Sequence, residues 1–549
     1  MKKYLYTTLL ALAGAAAMNA QSAYEAETMV RSDLNGTARY VGMGGALGAL
    51  GADLSTMGSN PAGTGLMRTS DVSFSFGGLF TGHSGTLGED RGRASVDQAG
   101  IVFVLPGSSS GSLRNVNFGI NYQKKRNFMS NLDAWLNLNG GSQTFQIAQM
   151  ADDAYNNGMN FGPLTYGSIP YATKIGKTDA GVNADDVRDQ ILNSKYYHQG
   201  IINDNYKEIM VGSTPLKYAD YETKFNNYDK GTDSQYGFFG VTADEANYRR
   251  ATYGSNSQID INLSTNIEDK VFLGLSVGLY SMTYDRFSAY YEKGVDGATY
   301  QIDNRYHNSS DGVDVKLGAI FRPIDDSPFR FGISIHTPIW YSIRDFNTMY
   351  IDATDYRYDS GDFKYRFRTP WKFNISLGHT VGNVLALGVE YELQDLASCK
   401  YSTAYGSNYD VIGFNNDIKN TLKAQHTLKI GAELKPAPEW AIRLGYNLVT
   451  TGIKKDAYMY LPYDRESTET DYTNWGAVNR VTFGVGYRFK GGYIDLAYQY
   501  QMQKGDFYAY DYQGVNHPEV SNMSANPVIA PTQISNNRSH IMATLGFKF

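Results

Sequence analysis

The sequence predicts an all-β chain: a transmembrane antiparallel β-barrel of about fourteen strands, with an N-terminal plug, or hatch, inside its lumen. Three observations lead there. Apolar residues alternate with Gly, Ser, Thr and charge along most of the chain. The links between those alternating stretches switch regularly between short and long. No run after the first 20 residues is long and apolar enough for a membrane helix. A mean hydropathy of −0.40 is no obstacle, because half of every barrel strand faces water.

Residues 1–20 read as a secretory signal peptide. Lys2 and Lys3 precede an apolar stretch, and small residues end at Ala20, so cleavage is expected before Gln21. Residues 21–68 form the expected plug. Gly42, Gly44 and Gly45 belong to a run poor in side-chain volume, and Asn60-Pro61-Ala62-Gly63 then breaks the chain. A segment so short and small builds no core of its own and must pack inside something larger. Residues 69–549 are the barrel, with strands near 70–80, 95–105, 114–128, 255–267, 270–285, 311–322, 329–341, 364–379, 384–397, 424–435, 439–450, 478–489, 492–503 and 538–549. Short links at 106–113, 266–269, 323–328, 381–383, 435–439 and 490–492 alternate with long ones, as periplasmic turns alternate with extracellular loops. The longest, 129–254, is expected to be an extracellular insertion with structure or function of its own.

Facing follows from the alternation. Trp440, Ile442, Leu444, Tyr446 and Leu448 are assigned to lipid, and Ala441, Arg443, Gly445 and Asn447 to the lumen. A charge on the lipid face at mid-depth costs roughly 2–4 kcal/mol, so Glu390, Glu433, Arg443 and Arg488 must point inward. Phe321, Phe329, Trp440, Phe489, Tyr493 and Phe549 fall at short-turn ends and make an aromatic girdle.

Composition closes off other classes. A net charge of −6 argues against a nucleic-acid partner. Cys399 is the single cysteine, which leaves no intramolecular disulfide and no thiol metal cluster. Gly107-Ser108-Ser109-Ser110-Gly111 has the G-x-S-x-G spacing, but it links two strands where a nucleophile elbow needs a strand followed by a helix. The glycine run at 42–51 has Leu47 where a dinucleotide fingerprint needs its third glycine. The histidines include no metal-binding pair, and the aspartates between 352 and 362 suit a solvated loop better than a Ca²⁺ site. No enzyme activity, metal or cofactor is expected.

Three stretches resemble the FadL-type outer-membrane transporters. Residues 42–65, with Asn60-Pro61-Ala62, resemble the hatch of that family. Lys429 to Leu434 followed by Glu439-Trp440-Ala441-Ile442-Arg443-Leu444-Gly445-Tyr446 resembles its Gly-x-x-Tyr … Trp-x-x-Arg-x-Gly hairpin. Thr369-Pro370-Trp371 and the terminal Phe549 complete the likeness. The resemblance implies an outer membrane, insertion by the barrel-assembly machinery, and passive transport of long-chain fatty acids or other hydrophobic small molecules past the plug. A ligand carboxylate would need a cation, and Arg330, Lys429, Arg443, Arg480 and Arg488 are the lumen candidates, with His336 beside Trp340 as a further contact. Inward acids such as Glu390, Glu433 and Asp495 compete for the same cations. The family's strand-three turn with proline is missing, since Asn117 to Lys124 runs on without one. A surface receptor for haem, or an adhesin, built on 129–254 is the alternative function.

Overall fold

Fourteen strands close into one antiparallel ring in the computed structural model. It describes residues 22–81, 92–107, 111–138, 243–294, 299–352, 356–405, 411–459, 469–510 and 530–549, plus a few residues and short strand pieces between 142 and 239. The expected signal peptide, Ser109 and most of the expected insertion at 129–254 lie outside the described residues. In chain order the wall is β1 (Asp71–Thr81), β2 (Gly92–Pro106), β3 (Leu113–Asn127, continued by Ser130–Asn137), β4 (Ala243–Ile267), β5 (Val271–Gly294) and β6 (Thr299–Phe321). Next come β7 (Arg330–His336 and Trp340–Ile351), β8 (Phe363–Arg368 and Lys372–Val381), β9 (Leu385–Asp395 and Lys400–Thr403) and β10 (Ala424–Ala437). The ring ends with β11 (Trp440–Val449), β12 (Tyr472–Phe489), β13 (Gly492–Tyr508) and β14 (Thr532–Ser535 and Arg538–Lys548). The seam joins β14 to β1, from Asp71 opposite Lys548 to Thr81 opposite Arg538.

The period-2 pattern sets which face meets lipid. On β11 and β12, Ile442, Leu444, Val481 and Phe483 are exposed while Arg443, Asn447 and Thr482 are buried. A soluble protein does not leave a continuous band of Leu, Ile, Val and Phe on its surface; a barrel in lipid must. At the short-turn end, Trp440 stacks against Tyr487 at 4.9 Å and Phe103 meets Phe549 edge-on at 6.3 Å. Among the described residues no helix is long and apolar enough to cross a membrane.

Two features go beyond the sequence reading. The strands β4, β5 and β6 run to 25, 24 and 23 residues. At ~3.4 Å per residue, 24 residues span roughly 80 Å, which carries the wall well past a bilayer core even when tilted. Parts of the expected loops at 129–254 and 286–310 are therefore wall. The second feature is a line of interruptions at one level of β7, β8 and β9. Thr337-Pro338-Ile339 breaks β7, Thr369-Pro370-Trp371 breaks β8, and a short 3₁₀ turn, Leu396–Ser398, breaks β9. Proline has no N–H for the ladder. Threonine hydroxyls complete the bonding: Thr337 Oγ1 accepts from Val315 N–H at 3.0 Å, and Thr369 Oγ1 accepts from Ile339 N–H at 2.8 Å.

Candidate functional site: the lumen and the N-terminal segment

Residues 22–67 fold as a string of capped turns. Helix α1 (Ala23–Val30) starts at a capping box in which Ser22 and Glu25 each satisfy the other's backbone N–H at 3.1 Å. Helix α2 (Ala38–Gly42) is capped by Thr37, and the 3₁₀ turns Leu54–Gly58 and Pro61–Leu66 by Asp53 and Asn60. Each cap stands in for a neighbouring turn the chain lacks, so a sequence poor in bulk still holds a defined path.

The wall supplies the remaining partners, from strands all round the ring. Asp97 on β2 accepts from Asn35 Nδ2 at 3.0 Å, and Asn117 Nδ2 on β3 donates to the Thr64 carbonyl at 2.6 Å. Thr64 Oγ1 donates to Asn262 on β4 at 2.6 Å, and Ser334 on β7 donates to the Ser59 carbonyl at 2.8 Å. Glu390 on β9 accepts from Gly48 N–H at 2.9 Å, and Thr482 on β12 donates to the Gly42 carbonyl at 3.1 Å. Thr544 on β14 accepts from Ala38 N–H at 2.7 Å. Where the backbones come closest, both sides are glycine. A Cβ on Gly44, whose φ is +62°, would stand 2.8 Å from Tyr446 N on β11, and one on Gly445 would collide with Gly44 N.

Buried charge is arranged around this segment at successive levels. Toward the short-turn end, Arg443 Nε donates to Glu433 at 2.7 Å and its Nη1 to Asp495 at 2.5 Å; Arg39 of the segment joins the same Glu433 at 3.2 Å. Arg39 also faces Asp53 at 3.8 Å. Higher up, Lys429 meets Glu390 at 2.6 Å and Glu392 at 3.5 Å, and Lys372 meets Glu392 at 3.1 Å. Near the top, Asp33 lies 3.9 Å from Arg480 and 3.8 Å from Arg538. Burial alone would raise the Asp33 carboxyl, but Arg538, Arg480 and Arg126 outweigh it and hold the group below its usual value. Above this, α1 packs into an apolar cluster with Tyr341, Tyr365, Tyr401 and the helix α3 (Ile412–Thr421), through Phe414 and Ile418.

The expected site residues divide accordingly. Lys429, Arg443 and Arg480 face the lumen, each paired with inward groups; Arg480 donates to Gln501 and Asn447 at 2.9 Å. Arg330 donates to the Leu50 carbonyl at 2.9 Å, and His336 Nε2 to the Ser59 carbonyl at 2.8 Å, so both hold the segment. Asn60 Oδ1 caps Ala62, and its Nδ2 bonds the Gly48 carbonyl at 2.9 Å; Pro61 and Ala62 lie against Gly274 of β5, and Gly42, Gly45 and Gly63 are likewise buried or closely packed. One residue stands elsewhere. Trp340 is on the outer face, 47% exposed, because the interruption at 337–339 shifts the alternation by one position after His336. Arg488 keeps the inward side, next to last on β12, and is exposed where the lumen opens at the short-turn end, in the wall of the cavity there.

Several cavities flank the segment among the described residues, three of them larger than a fourth between Asp33, Asp97 and His540. One is lined by Asp33, Lys125, Lys372, Glu392, Lys429 and Arg480. Another lies beside α1, among Tyr24, Arg126, Arg250, Tyr284, Arg286 and Trp475. The third opens at the short-turn end, with Arg39, Asp53, Arg443, Phe489 and Tyr493 in its walls. Of these, Lys125 and Arg126 on β3 and Glu392 on β9 are site residues that the sequence reading missed; alternation places Glu392 inward, whereas the consecutive Lys125 and Arg126 both reach the lumen only because the pairing with β4 shifts register between Lys124 and Arg126. Among the described residues no group of three or more His, Cys, Asp or Glu is placed to hold a metal ion.

A fourteen-strand ring with an apolar exterior and a lumen occupied by its own N-terminal segment defines a lipid-embedded β-barrel. Its fold is shared with a FadL homologue from Pseudomonas aeruginosa, at 12% identity and a TM-score of 0.50, over 94% of this chain and 99% of that one. The toluene transporters TodX of P. putida (11% identity, TM-score 0.45) and TbuX of Ralstonia pickettii (12%, 0.44) also match, each over 94% of this chain and 99% of its own. No family model matches the chain, and no curated protein does.

Proposed function

We propose that this protein is an outer-membrane transporter that passes hydrophobic small molecules, long-chain fatty acids among them, down their gradient, with residues 22–67 as the plug. The observation that supports the reading best is the segment hydrogen-bonded to strands all round a closed wall, for the lumen then conducts only if that segment moves. Its contacts suit movement. Below α1, which is anchored in the apolar cluster with Tyr341, Tyr365 and Tyr401, many of them are polar and renewable, made to backbone groups and small side chains. A long acyl chain gains about 0.8 kcal/mol for each methylene it buries, enough to draw it from water into gaps between segment and wall. The paired cations Lys429 and Arg480 offer a place for a carboxylate, once a neighbouring acid gives way. No energy-coupling device enters this reading, so the gradient drives transport.

The test locks the segment in place. Gly42 and Gly484 on β12 touch, a Cβ on Gly42 standing 3.2 Å from the Cα of Gly484 and one on Gly484 3.3 Å from the Cα of Gly42, so cysteines at the two positions meet, and a disulfide with its Cβ atoms about 3.8 Å apart forms once the segment backs slightly away from the wall. The variant G42C/G484C, expressed in a strain lacking the native protein, is expected to lose uptake of labelled long-chain fatty acid when oxidised and regain it on reduction. Full uptake with the cross-link verified by mass would remove plug movement from the account, and equal uptake with and without the protein would remove fatty acids.

A further inference from the structure

Above the interruptions in β7, β8 and β9 the outer face of the wall changes character. On β8, Lys364, Arg366 and Arg368 are exposed and alternate with the buried, inward Tyr365 and Phe367. Arg344 on β7 is the direct cross-strand partner of Lys364, and Lys400 on β9 that of Arg368. Five cations thus share one outward face across three neighbouring strands. Among the described residues, none of their side chains makes an ion pair or hydrogen bond. The acids near this face, Asp311 opposite Ser342, the exposed Asp362 two residues before Lys364, and Asp395 near the end of β9, stand at its flanks and are outnumbered. Like charges set directly opposite each other destabilise a sheet, and here two such pairs are built in. An anion between them removes that cost.

What lies beneath says which anion. Trp340 is paired with Arg368, and Trp371 follows on β8; both are 47% exposed. Below them the same face is Phe373, Ile375 and Leu377, all exposed. Indole rings at such a boundary mark the level where lipid tails give way to headgroups. We propose that Arg344, Lys364, Arg366, Arg368 and Lys400 form a site for the phosphorylated headgroup of a glycolipid in the long-loop leaflet, whose acyl chains lie on the apolar face below. The site rests on the reading of this barrel as an outer-membrane protein with its long loops outside. Guanidinium forks bind phosphate oxygens two at a time, which suits Arg366 and Arg368 on one strand.

The experiment uses the purified full-length barrel in mild detergent, titrated with bisphosphorylated lipid A, with dephosphorylated lipid A and with inorganic phosphate; native mass spectrometry counts bound lipid. The wild type should hold the phosphorylated lipid at least tenfold more tightly than the dephosphorylated form. K364Q/R366Q/R368Q should lose that preference, and R344Q/K400Q should weaken it several-fold. R68Q/K270Q/K490Q, with the same charge change at the short-turn end, should keep it. Heat-modifiable mobility on gels verifies that each variant is folded. An unchanged preference in the first variant, or an equal loss in the control, overturns the site. Binding of inorganic phosphate as tight as that of the lipid overturns it too, since the face would then recognise a free anion. The assay reads lipid on an isolated barrel, so its failure and a failure of uptake are told apart.

Discussion

Arg443 is 2% exposed, and its charge is held by two carboxylates on different neighbours, Glu433 of β10 and Asp495 of β13. Glu433 is the shared member, since it also binds Arg39 of the N-terminal segment. Neutralising it leaves two buried guanidinium groups short of a partner, which costs roughly 3–5 kcal/mol for a broken buried pair. E433Q should therefore unfold at markedly lower urea concentration in detergent, while K270Q, which breaks the solvent-exposed Lys270–Asp325 pair, should leave the midpoint where it was. Equal shifts would mean that the lumen network carries no stability. At this scale the sequence was partly legible. The inward direction of Arg443 and Lys429 follows from alternation and the cost of charge in lipid. Trp340 could not be placed that way, because three residues around Pro338 leave the ladder and restart it with the opposite parity. Arg488 keeps the inward side that alternation gives it and lines the cavity there; the alternation does not show that the lumen already opens to solvent at that level.

The elements show why the N-terminal segment fits at all. Glu433 faces Arg443 only because β10 and β11 pair in that register, and Gly431 faces Gly445 in the same ladder. Both glycines point at the segment, where Met43 O and Gly44 N come close. A register is set by turn geometry and by every pair along the strand, so these meetings are invisible in a linear string. G445V should leave the lipid face untouched and exclude Gly44 from its place. The barrel should still migrate as a heat-modifiable band, with the segment newly open to limited proteolysis; a protected segment in the folded variant would show that the close approach is unnecessary. Strand lengths were underestimated for a related reason. Beyond the membrane, β4 to β6 no longer need one apolar face, so the alternation fades while the hydrogen-bonded ladder continues.

For the whole molecule, the segment and the ring are one object. A lumen crossed by side chains at every level, and filled along its axis, should carry almost no ions. In planar bilayers the intact protein is expected to be electrically silent, and deletion of residues 22–67 to give large steady channels; open channels from the intact protein would contradict an occupied lumen. The closed ring was the most legible property of this chain, because each strand repeats the same evidence and errors in one are outvoted by the rest. The arrangement of the lumen is the least legible, since it depends on single encounters between distant residues.

The seam between β1 and β14 ties the closing of the wall to the seating of the N-terminal segment. The residues that occupy the lumen precede every wall strand in the chain, whereas the strand that seals the wall, Arg538–Lys548, follows all the others. Ala38 then reaches its partner Thr544 across nearly the full length of the polypeptide. Sealing the wall and seating what it encloses are therefore coupled, because the strand that completes the ring also carries a partner of the enclosed segment.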